Sequence, residues 1–231
     1  MLLPVKIEGK PYVVPTSWKD VSVKMFFELL KCTQGWANKG RYDLIELYSV
    51  LTGCPYEIMN RCKQGDVTTL IEKNTVFTQT MLDVEALELP SIVKIKGQYH
   101  IVPVDLELES FGQKMAVDSE IVRIDDQKEV GEIDKRMQQI VSVCSIYFYK
   151  QLTGNSEFDF DAAMKQAKWV ENASIVEMYP VAVFFSQRSN ASMKYRKKHS
   201  LIKRMMMRGW LGLKGLIGIH SKRSTASQVE T

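Results

Sequence analysis

Residues 5–15 read VKIEGKPYVVP, and residues 93–103 read VKIKGQYHIVP. The two stretches superpose without a gap at a spacing of 93 − 5 = 88 residues, and six of their eleven positions are identical. The shared glycine supplies the positive φ that a tight hairpin connection needs, and the shared closing proline cannot donate to a strand ladder. Each stretch therefore predicts a β-hairpin, and the pair together predicts an internal duplication.

The second stretch also predicts which side chains share a face. Val93, Ile95, Tyr99 and Ile101 alternate with polar residues on either side of a turn at Lys96-Gly97-Gln98. His100 then lies on the face opposite Tyr99 and Ile101. We expect its side chain to be exposed to solvent.

Helical patterns follow each predicted hairpin. After the first, Asp20 or Ser22 is expected to cap a helix that has apolar residues at 23, 26, 27, 29 and 30. After the second, Ser110 is expected to cap a shorter helix that reaches Met115. The acidic stretch 118–132 contains Gly131 and is expected to be an exposed loop.

The next predicted helix in each half ends in the same three residues, Leu-Thr-Gly. One helix covers residues 42–51 and its counterpart covers residues 132–152. Gly53 and Gly154 follow as left-handed residues beyond the helix ends, where glycine is favoured. We expect Leu51 and Leu152 to occupy equivalent core positions.

Further helices are predicted at residues 56–63, 67–81, 161–171 and 174–186. Asp159 or Asp161 is expected to cap the third of these, and Pro180 is expected to kink or split the fourth. The fold class is therefore a helix-rich α+β protein in which a β-hairpin followed by a helical bundle is duplicated. The predicted domains are a first lobe at 1–90, a second lobe at 91–189 and an extended basic C-terminal arm at 190–231.

The composition is that of a globular protein. The chain has 231 residues, of which 45% are hydrophobic and 25% are charged, so it can bury a core without disulfides or metals. Its four cysteines form no CxxC pair, and we expect reduced thiols, as in a reducing cytoplasm. No apolar run approaches the roughly 20 residues that a membrane-spanning helix needs.

Motifs of enzymes and metal proteins are missing from the sequence. It contains no phosphate-binding glycine loop, no GxSxG, no HExxH and no calcium-binding loop. A nucleophilic pair could be built from Cys144 and His100, but Cys144 lies between Val141 and Phe148 on the apolar face of its helix, which favours core packing. We therefore expect no enzymatic activity, no catalytic residues, no metal and no cofactor.

Charge is distributed unevenly along the chain. Between Met178 and Val229 there are eleven Lys or Arg residues and no Asp or Glu. Residues 1–177 contain 20 basic and 26 acidic residues, a net charge of −6. A cationic arm on an acidic body indicates an acidic or polyanionic partner.

The arm combines cations with an apolar stretch. Glycines stand at 209, 212, 215 and 218 among Trp, Leu and Ile residues, and each glycine costs a helix roughly 1 kcal/mol relative to alanine. This stretch should not form a stable helix alone, and its apolar side chains need a partner surface. The candidate partner-binding residues are Lys194, Arg196, Lys197, Lys198, Lys203, Arg204, Arg208, Trp210, Leu211, Leu213, Leu216 and Ile217.

Three partners are compatible with this arm. Other protein subunits are favoured, with Trp210 and the leucines as anchors and the cations against acidic patches. Nucleic acid is the second hypothesis, since the cations could neutralise phosphates, although only Tyr195 and Trp210 supply aromatic rings. A membrane surface is third, because the four glycines disrupt an amphipathic helix. A merely disordered tail fits residues 221–231 alone.

The chain resembles small tail and tail-assembly proteins of tailed bacteriophages. The motifs are PTSWKDVS at 15–22, LTG at 51–53 and GQ at 112–113, and the likeness spans about residues 5–190. The resemblance implies a structural or chaperone-like assembly protein of the tail, neck or baseplate, located in the virion or the host cytoplasm. It implies virion or assembly proteins as partners, in a homo-oligomer or larger complex. No functional residue carries over, because the motifs mark caps and turns.

Overall fold

The computed structural model describes residues 2–39, 43–62, 82–103, 106–108 and 110–188, together with residues 70 and 77. Within this part, a first compact unit comprises residues 2–17 and 28–82, and a second comprises residues 18–27 and 83–188. Leu70 and Phe77 are helical and buried, and the rest of the helix predicted at 67–81 lies outside the described residues. The predicted arm at 190–231 also lies outside them.

Both predicted hairpins are confirmed. Strands β1 (Leu2–Ile7) and β2 (Lys10–Pro15) pair antiparallel in the first unit, and β3 (Ile92–Ile95) and β4 (Gln98–Ile101) pair antiparallel in the second. The connections are the two-residue turns Glu8-Gly9, with φ of 47° and 78°, and Lys96-Gly97, with φ of 53° and 77°. Two consecutive positive φ values define a type I′ turn, whose twist matches that of the flanking strands.

The predicted face of β4 is wrong. Tyr99 and Ile101 are 74% and 77% exposed, whereas His100 is buried on the same face as Val93, with which it pairs. The cause is the length of the turn. We predicted a three-residue turn through Gln98, but a two-residue turn makes Gln98 the first residue of β4. Moving a strand by one residue transfers every side chain to the opposite face.

In the first part of the chain the structure gives the bounds of α1 (Val23–Lys39), α2 (Leu44–Thr52) and α3 (Tyr56–Met59). Of the two predicted caps, Ser22 is the one that caps α1, since its hydroxyl accepts from Met25 N at 3.2 Å. The predicted left-handed end of α2 is confirmed, because Gly53 has φ of 69° and its N–H donates to the carbonyl of Val50.

Polar contacts join elements of the first unit. The indole Nε1 of Trp36, on α1, donates to Glu46 Oε2 of α2 at 2.7 Å. Asp43 caps α2 by accepting from Glu46 N at 3.1 Å, and its second carboxylate oxygen accepts from the Tyr56 hydroxyl at 2.9 Å. These hydrogen bonds fix α2 between its two neighbours, and Leu47, Tyr48 and Leu51 fill the core beneath it.

The second unit contains six described helices, α4 (Phe111–Asp125), α5 (Glu132–Tyr147), α6 (Tyr149–Thr153), α7 (Phe160–Met164), α8 (Ala167–Glu171) and α9 (Ile175–Arg188). Ser110 caps α4 as predicted, and Asp159 rather than Asp161 caps α7. Gly154, with φ of 77°, ends α6 as predicted. Leu152 is only half-buried, whereas Leu51 is fully buried, so these two positions differ.

Several predicted boundaries in this unit are wrong. Helix α4 continues past Met115 through most of the predicted loop at 118–132, because Val117, Ile121 and Ile124 bury its inner side. The helix predicted at 132–152 is interrupted at Phe148, which has φ of −85° and ψ of 11°. The helix predicted at 161–171 is two short helices. Pro180 lies inside α9 without splitting it, flanked by buried Tyr179 and Val181.

Helix α5 forms the centre of the second unit. It packs against α4, α7, α8 and α9, and every residue from 139 to 149 is buried. This buried part of the helix has no polar face to leave in water. Two of its polar side chains, Gln139 and Ser142, bond to Asp125 and Glu120 of α4.

The start of α9 is paired with the chain segment that precedes α1. Val23 N donates to Ala173 O and Ile175 N donates to Val21 O, both at 2.9 Å, which makes an antiparallel bridge between Ser22 and Ser174. Val21, Val23 and Phe26 are buried at this point. Residues 18–27 are thereby an integral part of the second unit.

Two glycines of the first unit should respond to alanine in opposite directions. Gly53→Ala forces a Cβ into a left-handed conformation, and we expect unfolding to require about 1 kcal/mol less. Gly35→Ala lies within α1 with open space around its Cβ, and we expect a gain of about 0.5–1 kcal/mol. Urea unfolding of both variants measures these changes in the free energy of unfolding. If Gly35→Ala lowered it as much as Gly53→Ala, the conformations assigned to the two glycines would be contradicted.

Candidate protein-binding surface

All twelve partner-binding residues predicted from the sequence lie in the arm, outside the described residues. The described part of the chain instead presents surface features that the sequence analysis did not identify. These features lie on α4 and beside it.

Helix α4 is fixed by its first turn. The Ser110 hydroxyl accepts from Gln113 N, and Gln113 Oε1 accepts from Ser110 N, both at 3.1 Å. The other end of the same amide, Gln113 Nε2, donates to the carbonyl of Ile146 on α5 at 3.2 Å. A single buried glutamine thus caps α4 and sets its rotation against α5.

That rotation leaves an apolar stripe in solvent. Phe111, Met115 and Val122 are 77%, 48% and 50% exposed, and their spacing puts them along one side of α4. Val117 and Ile121 are buried on the other side. We define Phe111, Met115 and Val122 as the α4 stripe. Two apolar sides on one helix were visible in the sequence, but the predicted end at Met115 concealed the pattern.

A groove of about 610 Å³ adjoins the stripe. Its lining includes buried Leu106, Val117 of α4 and Phe185 near the end of α9, with Phe111 also in its wall. The volume lies within the ~300–1,000 Å³ that proteins use for ligand sites. We call this the α4–α9 groove.

The charged side chains that line the groove are mainly acidic. Glu107 and Asp118 line it together with one cation, Lys114. Residues 83–134, which include these positions, contain 13 Asp or Glu and 5 Lys or Arg. This segment therefore has the sign of charge opposite to that of the arm.

A different surface of the second unit carries lysines beside aromatic rings. Lys94 Nζ lies 5.5 Å from the ring centre of the exposed Tyr99. Lys96 Nζ and Lys168 Nζ lie 5.4 and 5.2 Å from the ring centre of Trp169. Ammonium groups at such distances are attracted by the negative face of the ring.

Nothing about Cys144 suits a nucleophile. Its side chain is fully buried, and Sγ donates to the carbonyl of Met178 at 3.4 Å. Burial raises the pKa of the Cys144 thiol, whereas a reactive cysteine needs a lowered one. The ring of His100 packs 6.3 Å from the ring of Phe148, centre to centre.

The best-defined charged cluster joins α4 to α5. Glu120 is buried, accepts from Arg123 Nε and Nη2 at 2.8 and 2.6 Å, and accepts from the Ser142 hydroxyl at 3.1 Å. The hydrogen bonds from Arg123 lower the pKa of the Glu120 carboxyl, and those from Ser142 act in the same direction, against burial. The carboxylate therefore works as a structural acceptor between two helices.

No protein-family model, curated protein or solved structure matches this chain. Among the residues that the structure describes, no group of three or more His, Cys, Asp or Glu side chains is arranged to hold a metal ion. Across those same residues, none of the helices has the length and apolar character required to cross a membrane.

Replacing Glu120 should change the pH dependence of stability. We expect Glu120→Gln to lower the free energy of unfolding at pH 7 by about 1–3 kcal/mol, because a buried charged acceptor is lost. The folded-state pKa is lowered, so this stabilisation is present above the ordinary carboxyl pKa of 4.5 and is lost as the pH falls below it. Urea unfolding should show the free energies of unfolding of the two proteins converging as the pH falls below 4.5.

The matched control for this measurement is Glu28→Gln. Glu28 forms a half-exposed ion pair with Lys31 at 3.0 Å, and such pairs contribute about 0–1 kcal/mol. A difference between wild type and Glu120→Gln that does not change with pH would contradict the role of the carboxylate.

Three of the four thiols should differ in their rates of alkylation. Burial, followed by the charges of Glu46 and Glu28, raises the pKa of Cys32 to about 12, and burial also raises that of Cys144. Cys62 is only half-buried. In iodoacetamide at pH 8.5 we expect Cys62 to react at least about a hundredfold faster than Cys32 or Cys144. Peptide mass spectrometry measures this, and urea should equalise the rates. If Cys62, Cys32 and Cys144 were alkylated at equal rates in the native protein, burial of Cys32 and Cys144 would be excluded.

Proposed function

We propose that this chain is a non-enzymatic structural or assembly protein of a tailed bacteriophage, acting in the tail, neck or baseplate. It works through contacts with other protein subunits, and its basic C-terminal arm docks on neighbouring subunits. It belongs to the virion or acts in the host cytoplasm during assembly.

The observation that carries the proposal is the exposure of the α4 stripe. Phe111 has 77% of its surface in solvent, with Met115 one helical turn away and a groove beside it. Isolated apolar residues on a surface are ordinary, but a row of large ones beside an apolar groove is typical of protein-binding sites. Aromatic side chains next to pockets are also the residue type that dominates binding energy in interfaces.

Charge supports the same function. Residues 190–231 contain ten Lys or Arg and one Glu, and residues 83–134 contain 13 acidic and 5 basic residues. Opposite charges on two parts of one chain attract copies of the chain to one another and align the encounter. This charge distribution would increase both the rate and the specificity of association between subunits.

The viral assignment rests on the sequence resemblance. Its motifs coincide with local structure of the described residues, since Ser22 caps α1, Gly53 ends α2 and Gln113 completes the cap of α4. We also infer that the two hairpins arose by duplication. The shared type I′ turns at Glu8-Gly9 and Lys96-Gly97 support this, as do the Leu-Thr-Gly helix ends.

Nucleic-acid binding is the alternative function. The arm's cations would neutralise phosphates, and the lysine–aromatic pairs around Tyr99 and Trp169 offer rings on which bases could stack. Binding of this kind weakens steeply as salt is raised.

Light scattering of the full-length chain and of a chain ending at Ser189 distinguishes these functions. We expect the full-length protein to form oligomers and the shorter chain to remain monomeric, because the arm supplies the contact. If both are monomers, and the full-length chain carries nucleic acid that high salt removes, the alternative function replaces the proposal.

A further inference from the structure

We propose that the α4–α9 groove is the receptor for the apolar part of the arm, residues 209–219, of a second copy of this chain. The inference rests on the proposed function and adds to it the site at which the arm binds. The groove, the stripe and the acidic residues beside them all lie in the second unit.

The groove suits the arm in its chemistry. Leu106, Val117 and Phe185 are 0–4% exposed and form an apolar floor, and Phe111 stands in the wall with most of its ring in solvent. The arm offers Trp210, four Leu or Ile residues that were predicted as anchors, and glycines at every third position. Glycine lets a backbone approach a surface closely, so the stretch can lie against the ring of Phe111.

Charge complementarity selects the arm over an uncharged apolar partner. Glu107 and Asp118 line the groove, and Lys114 is the single cation among the described residues of its lining. Lys203, Arg204 and Arg208 precede the apolar stretch in the arm, and Lys214 lies within it. Cations beside the inserted segment meet carboxylates at the rim, which fixes the orientation of the segment and rejects acidic partners.

Residues 190–208, which precede the apolar stretch, favour binding to the groove of a neighbouring copy over binding to the groove of the same chain. Phe185 lines the groove and α9 ends at Arg188, so an arm that occupied its own groove would have to leave and return to its starting point. Residues 190–208 contain seven Lys or Arg and no acid. Linkers of like charge repel themselves and extend, and about 20 residues can span roughly 60–70 Å. A segment of this length and charge can therefore reach the groove of another molecule.

Photo-crosslinking in the full-length protein tests the site. The photoreactive residue p-benzoylphenylalanine replaces Phe111 in one preparation and Tyr99 in a matched control. Both positions are exposed in the second unit, by 77% and 74%, but only Phe111 lines the groove. Each variant is mixed with ¹⁵N-labelled wild-type chain at high salt and returned to low salt before illumination. Mass spectrometry then identifies the linked peptides and their isotopes.

The expected result is a set of crosslinks from position 111 to residues 209–219 of ¹⁵N-labelled chains, with none from position 99 to the arm. Crosslinks confined to the variant's own chain would overturn the proposal, because the arm would then occupy its own groove. Crosslinks to other segments, or equal yields from both positions, would overturn it as well.

Self-association provides the second measurement. We expect Phe111→Ser to weaken it about tenfold or more, and Tyr99→Ser to leave it within a factor of two to three. Oligomers that require the arm but tolerate Phe111→Ser would overturn the groove assignment and leave the proposed function standing. If the full-length chain were monomeric at all concentrations, both the groove assignment and the proposed function would be contradicted.

Discussion

Burial of the second half of α5 is the constraint on which the second unit depends. Nine consecutive residues of α5, from 139 to 147, are withdrawn from solvent, and they include Gln139 and Ser142. A buried polar group that loses its partner costs about 1–3 kcal/mol, so α5 can be surrounded only by helices that offer the right acceptors and donors. Helix α4 meets this requirement through Glu120, which accepts from Ser142, and through Asp125, which accepts from Gln139.

These polar contacts explain why an apolar stripe remains outside. The hydrogen bonds from α5 fix the rotation of α4, and Gln113 adds another at its first turn. Turning the helix to cover Phe111 and Met115 would break these directional hydrogen bonds and would also bring the buried Val117, Ile121 and Ile124 out of the core. The chain therefore uses a polar network in its core to hold an apolar surface in water, which favours an interaction site over a packing defect.

Local chemistry predicted much of the fold. The hairpins, the serine and aspartate caps and the left-handed glycines at 53 and 154 each depend on a few neighbouring residues, and the structure has them. The predictions that were wrong depended on contacts with distant residues or on a strand register that differs by one residue. The length of one turn reversed the faces of β4, and α4 runs through an acidic stretch because α5 buries its inner side. The groove was invisible for the same reason, since Leu106, Val117 and Phe185 meet only in the folded chain.

The bridge between Ser22 and Ser174 determines when the second unit can form. Its two backbone hydrogen bonds join residues about 150 positions apart, and Phe26 and Phe27 beside it are fully buried. Contacts of such separation pay a large loop-closure entropy and form late. During synthesis, residues 18–27 leave the ribosome long before α9 exists. The backbone partners of Val21 and Val23 are therefore absent through most of translation, so the newly made chain is exposed to misassociation until α9 emerges.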